Sequence, residues 1–389
     1  MKRLLTFFLI CFSFVEYTRA EDIINYKYWD EGKLTWDDFQ DTLSLKGVPS
    51  AFNAFLRIEK TEKRDGNTRT IRPEAQACFD KRHSFADRQI QNENLLRLFQ
   101  LKYDLLEMYR RRLQTELNLG VVGIAADNRT RQYMDLYTEQ SKKAEQETEN
   151  GQNEIKLQEW EFYVTKELIE NPAPSIPRIS PRRFGYGFYL GTGASFPVGS
   201  IADYWDPAWQ INVGFDLAYA NTHLLCDFAA GTARTRQEIT VSNGQITDTW
   251  LRNGHNTYTS ISLGIGQQLI STKYFALMPY VGCIWSGYPD QAKIQEGRNE
   301  RTTLSYTNFN WTAGICFDYR FSTTISLVPS FWRGHREIFT ASIRTKLFIN
   351  REQFHNFKIA PDDNGSMLRG CKLGFSVACL GFSRLLQIK

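Results

Sequence analysis

Six charged residues fall on the polar sides of alternating stretches in the second half of the chain: Asp216, Asp227, Asp318, Arg320, Arg344 and Lys346. Carboxylates and cations placed together in a narrow interior neutralise one another and fill it, which favours a plug of side chains over a wide pore. In the first half, LLRLFQLKYDLLEMYRRRLQ, residues 95 to 114, reads as a helix that brings Leu98 and Lys102 one turn apart on the same side. Two histidines at that spacing, with a glutamate after the first, hold zinc and supply a general base. Leu98 and Phe99 offer no lone pair, and Lys102 is a cation where a donor is wanted, so the spacing is present without the chemistry. The first half has a single histidine, His83, in DKRHS, read as a solvated or capping residue. Asp104 and Glu107 share the helix with Lys102 and Arg111 and read as surface ion pairs. There is no serine, histidine and aspartate set, no cysteine nucleophile with a base, and no glycine-rich phosphate loop; the glycines of GYGFYLGTG sit in a strand pattern and open no helix.

These residues need elements to hold them. Apolar positions recur at helical spacing from Gln89 to Leu119, and a second, charge-rich helical stretch runs from Arg129 to Glu170 with a break at Asn150-Gly151. Before them, AFNAFLRIEK and TRTIRPEAQACF read as extended runs around the turn Asp65-Gly66-Asn67, and Trp36, Leu34 and Phe39 as a small core. NPAPSIPRISPRR, residues 171–183, is proline-dense and predicts a stiff linker. Past it the period changes from 3.6 to 2. WQINVGFDLAY alternates Trp209, Ile211, Val213, Phe215, Leu217 and Tyr219 against Gln210, Asn212, Gly214 and Asp216; FNWTAGICFDYR and FTASIRTKLFI repeat the pattern.

With FGYGFYLGTGA, HLLCDFAAGT, TSISLGIGQQL, YFALMPYVGCIW and TTISLVPSFW, these make eight runs of about ten residues, the length of a tilted membrane-crossing strand. Connections alternate: PVGSIADYWDPA, RTRQEITVSNGQITDTWLRNGHN and PDQAKIQEGRNERTTLS are long, whereas Ala220-Asn221-Thr222, Ser271-Thr272-Lys273 and Phe321-Ser322-Thr323 are short. That one-sidedness predicts an outer-membrane barrel over residues 184–349 rather than a secreted sandwich, with Trp209, Tyr219, Trp285, Phe309 and Tyr319 as interfacial aromatics. The tail, 350–389, contains GCKLGFSVAC, which alternates like a further strand; the sequence leans towards eight strands plus a tail, with ten as the alternative.

The chain opens MKRLLTFFLICFSFVEYTRAED, a charged start, an apolar run too short to cross a bilayer and small residues before Ala20, which predicts a signal peptide over 1–20. Formal net charge is +4, and Lys2, Arg3 and Arg19 against Glu16 lie in that segment, so the remainder is near neutral and no nucleic-acid partner is expected. Cys226, Cys283 and Cys316 fall inside strand runs, as small apolar fillers. Cys371 and Cys379 on one strand would stand roughly 26 Å apart.

Across KLTWDDFQ, AFNAFLRIEK, EAQACFDKRHSFAD, LLRLFQLKYDLLEMYRRRL and EQETENGQNEIKLQEW, residues 28–169 resemble a bacterial family of predicted secreted zinc-dependent proteases. The resemblance implies a zincin-like fold in which the His-Glu-x-x-His positions fall at Leu98, Phe99 and Lys102, and a later histidine at Asn150. Every position that would bind metal or act as base is replaced, so it implies a protease-like domain without zinc or cofactor. The expected protein is therefore a degenerate α+β domain over 21–170, followed by an all-β up-and-down barrel of about eight strands. The barrel would contact outer-membrane lipid, and the first domain would lie in the periplasm and bind a protein or cell-wall partner without catalysis. The alternatives are an active envelope zinc protease with an atypical site and a small outer-membrane pore.

Overall fold

The computed structural model describes residues 25–41, 49–242, 247–289, 305–328, 336–358 and 366–388. The expected signal peptide and most of the loop PDQAKIQEGRNERTTLS lie outside them. The chain forms two compact units: residues through Lys60 with Pro73–Pro177, and Thr61–Arg72 with the residues from Arg178 onward. The boundary expected near residue 170 therefore has a second crossing, because the tip of a hairpin in the first half belongs to the second unit.

In the first unit β1 (Tyr26–Tyr28) pairs antiparallel with β4 (Thr68–Asp80), which β3 (Ala54–Asp65) precedes in a hairpin; β2 (Ser50–Ala51) pairs with β5 (Phe85–Ala86). Three helices follow: α1 (Glu93–Leu119), α2 (Ile124–Glu147) and α3 (Glu154–Glu170). Asn92 caps α1, its side chain accepting from the Leu95 N–H at 2.9 Å, and Gly120 at φ 122° ends it. The α1 face carrying Leu98, Phe99, Leu105, Leu106, Tyr109 and Leu113 is buried with Ala75, Ala77 and Phe79 of β4. The expected break between the later helices is real: Asn150 (φ 57°) and Gly151 (φ 88°) sit there in left-handed conformation.

The surface ion pairs expected on α1 are corrected. Glu107 is 1% exposed and takes both Arg110 and Arg111, Asp104 accepts from the Trp29 indole at 2.7 Å, and Lys102 reaches Glu145 on α2. The helix is packed on nearly all sides, so residues that would face water on an isolated helix are enclosed here.

One buried pair makes stability pH-dependent. Asp38 accepts from the Lys27 ammonium at 2.6 Å and from the Thr35 N–H at 2.9 Å. Burial works to raise its pKa, but the hydrogen bond from Lys27 and the Thr35 N–H outweigh it and hold the carboxyl below its usual range. The stabilisation is thus fully present above the unfolded value of about 3.9 and is lost as pH falls through the lower folded value. Asp38→Asn is expected to destabilise the first unit more at pH 6 than at pH 3, with denaturation followed by tryptophan fluorescence. Equal losses at both values would remove Asp38 from the account.

The second unit is a ring of antiparallel strands: β6 (Ile179–Gly199), β7 (Ala208–Tyr219), β8 (Thr222–Arg234), β11 (His255–Gln267), β13 (Phe275–Pro289), β14 (Ser305–Ser326), β15 (Glu337–Lys358) and β16 (Ser366–Ile388). Each pairs with the next, and β16 pairs with β6, so eight strands close an up-and-down barrel. The short strands β9 (Ile239–Ser242) and β10 (Thr247–Trp250) form a hairpin in the long β8–β11 connection, and β12 (Ile270–Ser271) pairs with β13. Within this unit the hairpin tip runs parallel to β14, Thr68–Ile71 beside Thr323–Ser326.

The strand number is eight, but its members differ from those read in the sequence. Phe321-Ser322-Thr323 is no turn: β14 continues through it, with a register shift between Arg320 and Ser322, and the described part of TTISLVPSFW begins as the end of that strand. A bulge inserts one residue and flips the alternation, which reads like a turn. The eighth strand comes instead from the tail, whose residues Ser366–Ile388 close the ring, while REQFHNFK extends β15. Nor is all of 171–183 linker, since β6 starts at Ile179 and holds Pro181 opposite Leu386, beside an irregularity in β16. Proline is tolerated at such an interruption of the ladder.

Candidate functional site

The outward face of the barrel is apolar. Trp209, Ile211, Phe215 and Tyr219 of β7 are 65%, 62%, 48% and 62% exposed, and Ile265, Val281, Phe309 and Leu347 continue the surface on other strands. Trp209, Trp285 and Phe309 lie towards the long-loop ends of their strands, whereas Tyr219 and Tyr319 lie towards the short-turn ends. Ten residues separate Trp209 from Tyr219, and Phe309 from Tyr319. At about 3.3 Å per residue and a tilt of about 40°, each pair spans roughly 25 Å of height. That equals the apolar band of a membrane barrel, flanked at both levels by aromatic rings.

The inward face is polar and closed. Arg344, 2% exposed, donates through Nε to Asp318 Oδ1 at 2.7 Å and through Nη2 to Asp318 Oδ2 and Asp216 Oδ2, both at 2.8 Å. Asp216 also meets His223 Nδ1 at 2.7 Å. Lys346 donates to Asp227 Oδ2 at 2.5 Å, with Ser262 and the Tyr189 hydroxyl donating to the same carboxylate. Lys372 pairs with Glu352 at 2.8 Å, and its ammonium stands 3.9 Å from the centre of the Tyr258 ring. Gly214 leaves room for Tyr189, whose ring atoms a Cβ there would meet at 2.2 Å. The void among Gln210, Asp227, Tyr280, Thr312, Lys346 and Ser376 has a volume of about 30 Å³, room for water and for no solute.

Five of the six charges picked from sequence therefore share this interior. Arg320 lines a cavity with Asp318 and Arg344 at the short-turn end, where its Nη1 donates to Ser271 Oγ at 3.1 Å and to the Thr272 carbonyl at 2.7 Å. Sequence reasoning missed Lys372, Glu352, Tyr189 and His223. Lys372, Ser376 and Ala378 do share one side of the alternation in GCKLGFSVAC, the one local signal that points to an inward face there.

The first unit carries a groove of about 980 Å³ lined by Leu98, Phe99, Asn150, Gly151, Glu145 and Gln152, among others. Three of the four positions singled out in sequence thus border one space. The fourth, Lys102, lies one turn beyond Leu98, and its ammonium is 2.5 Å from Glu145 Oε1 and 4.8 Å from the centre of the Phe52 ring. Phe99 stacks on Phe52 and meets Phe39 and Trp36, so an aromatic cluster occupies the helix face behind the groove. Beneath it, burial raises the pKa of Asp104 despite the donors Trp29 and Gln100. Burial pushes the Cys78 thiol up to about 12, away from the thiolate that nucleophilic attack requires. His83 is exposed against Asp80. Among the described residues no three of His, Cys, Asp and Glu stand together as a metal-ligand set, and the described cysteines are free.

No family model matches the chain, and no curated protein matches it. Solved structures similar to it include Ail, the attachment invasion locus protein of Yersinia pestis, at 10% identity over 52% of this chain and 99% of that one, with a TM-score of 0.26. The outer membrane protein OprG of Pseudomonas aeruginosa matches at 10% identity over 54% and 99%, with a TM-score of 0.27. The N-terminal β-barrel domain of OprF from the same organism matches at 8% identity over 52% and 99%, with a TM-score of 0.23. Likenesses this loose carry no argument about function.

Proposed function

We propose that this chain is an outer-membrane protein whose barrel serves as an anchor and whose helical unit is a metal-free relative of secreted zinc proteases, acting by contact and not by hydrolysis. The observation that carries the anchor is the outward apolar band with aromatic rings at two levels roughly 25 Å apart. A water-soluble barrel would expose that surface at a prohibitive cost. The mid-barrel lumen opposes the pore reading: buried ion pairs cross it, and the void among Asp227, Tyr280, Thr312 and Lys346 holds no solute.

For the helical unit, the support is donor chemistry. Leu98 and Phe99 have no lone pair to offer, the Lys102 side chain is engaged by Glu145, and Asn150 is a weak zinc ligand, which opposes the active-protease reading. A groove of that size lined by the amide side chains of Asn92, Asn94, Asn150 and Gln152 with the carboxylates of Glu93 and Glu145 suits an extended chain, so a periplasmic protein or cell-wall peptide is the partner class we assign.

The anchor is tested by electrophoresis of the detergent-extracted full chain. A closed barrel resists unfolding by detergent until heated, so the unboiled sample is expected to run at a lower apparent mass than the boiled one. Identical migration, or recovery of the protein in the soluble fraction of washed cells, would overturn the reading.

A further inference from the structure

At the short-turn end of the barrel lies a cavity of about 280 Å³ lined by His223, Arg320, Arg344, Arg384, Gln268 and Ser271, among others. Its charges are not balanced. The carboxylate in its wall, Asp318, is already taken by two nitrogens of Arg344. Arg320 donates only to Ser271 Oγ and the Thr272 carbonyl, and Arg384 donates to the Ala220 carbonyl at 2.5 Å. Among the described residues neither guanidinium has a carboxylate partner. Carbonyls orient a guanidinium without neutralising it, so two cations stand in one partly enclosed space with donors to spare.

Arg344 Nη1 and His223 Nε2 are buried without a hydrogen-bond partner, on side chains 2% and 5% exposed. Asp216 holds His223 through Nδ1, which leaves Nε2 as the nitrogen turned away from that carboxylate. Neither nitrogen presents open surface, so the donors available to a ligand in the cavity are those of Arg320 and Arg384.

We infer that this cavity is a binding site for a small oxyanion, a phosphate or carboxylate group, held by Arg320 and Arg384. Planar guanidinium groups match the paired oxygens of either anion. The cavity admits a headgroup-sized ion and lies inside the strand ring, so the ligand enters from the short-turn mouth.

The test uses the full chain in detergent, in low-salt buffer free of phosphate, titrated with inorganic phosphate in one arm and succinate in the other by calorimetry. Saturable binding in either arm, weakened about tenfold or more in R320Q/R384Q, is expected, since two charge-assisted contacts that each contribute a several-fold factor are lost together. The arm that binds more tightly names the anion class. Heat-dependent mobility of the double variant verifies that its barrel is closed. If it is not, R384Q alone decides, with a several-fold weakening expected. Absence of saturable binding in both arms, or affinity unchanged by the substitutions in a closed barrel, overturns the site.

Discussion

Arg344→Met is expected to remove about 3–5 kcal/mol from the barrel, because it strips the shared cation from two buried carboxylates, Asp216 and Asp318. Against a typical total of about 5–15 kcal/mol, that is enough to leave much of the protein unfolded. The physical reason lies in the asymmetry of buried charge. Assembling such a group with all its partners yields little net stability, whereas deleting one partner leaves the others desolvated and unpaired. Arg344/Asp216/Asp318→Met/Asn/Asn is therefore expected to recover most of the loss. The transition from compact to unfolded mobility, followed against urea in detergent, reads both effects. A loss under about 1 kcal/mol for Arg344→Met would mean that water reaches these carboxylates, and the lumen would then be far more open than its side chains indicate.

The second large effect concerns the helical unit. Putting histidine at positions 98, 102 and 150 of the full chain is expected to create zinc binding of about one ion per chain, where the native side chains supply no ligand set. Two of these positions border one groove, and the third lies a single helical turn from the first. Leu98→His cuts into the core at a cost of about 2–5 kcal/mol, so zinc should also raise the unfolding temperature, since metal binding to the folded state is folding free energy. Metal content after dialysis and the zinc-dependent shift in melting are the readouts. A folded variant that retains no zinc would separate this groove from the zinc-protease arrangement and remove the kinship we propose.

The ease of reading the sequence differed along the chain for physical reasons. Helix α1 was legible because Leu95, Phe99, Leu106 and Leu113 mark a core-facing stripe, but the enclosure of Glu107 was not, since burial on the opposite side depends on partners distant in sequence. In the barrel, the strict alternation from Trp209 to Tyr219 exposes both faces of β7 to inspection. Alternation fails where a bulge shifts its phase, as it does between Arg320 and Ser322, and there one strand looked like two. The error carried over to Glu352 and Lys372: with eight runs already counted, residues beyond 349 had no place in the ring, and their buried pair went unseen. Arg320 keeps the phase of Asp318, since the bulge follows it, and lines one cavity with Asp318 and Arg344 at the short-turn end. Pairs such as Lys346 with Asp227 are 119 residues apart, and no local pattern specifies which cation meets which carboxylate.

Closure of the ring by its first and last strands constrains how the protein is made. The registry of Gly370 with Gly199 and of Ile388 with Ile179 joins segments separated by nearly the whole second unit. At about 5–20 residues per second, a ribosome needs roughly 10–40 s after finishing the first of these segments before the last exists. Throughout that interval an alternately greasy strand has no neighbour on one edge, which is the condition under which nascent chains stick to one another. The barrel therefore cannot close until the segment Ser366–Ile388 has been made, and β6 has no β16 neighbour before then.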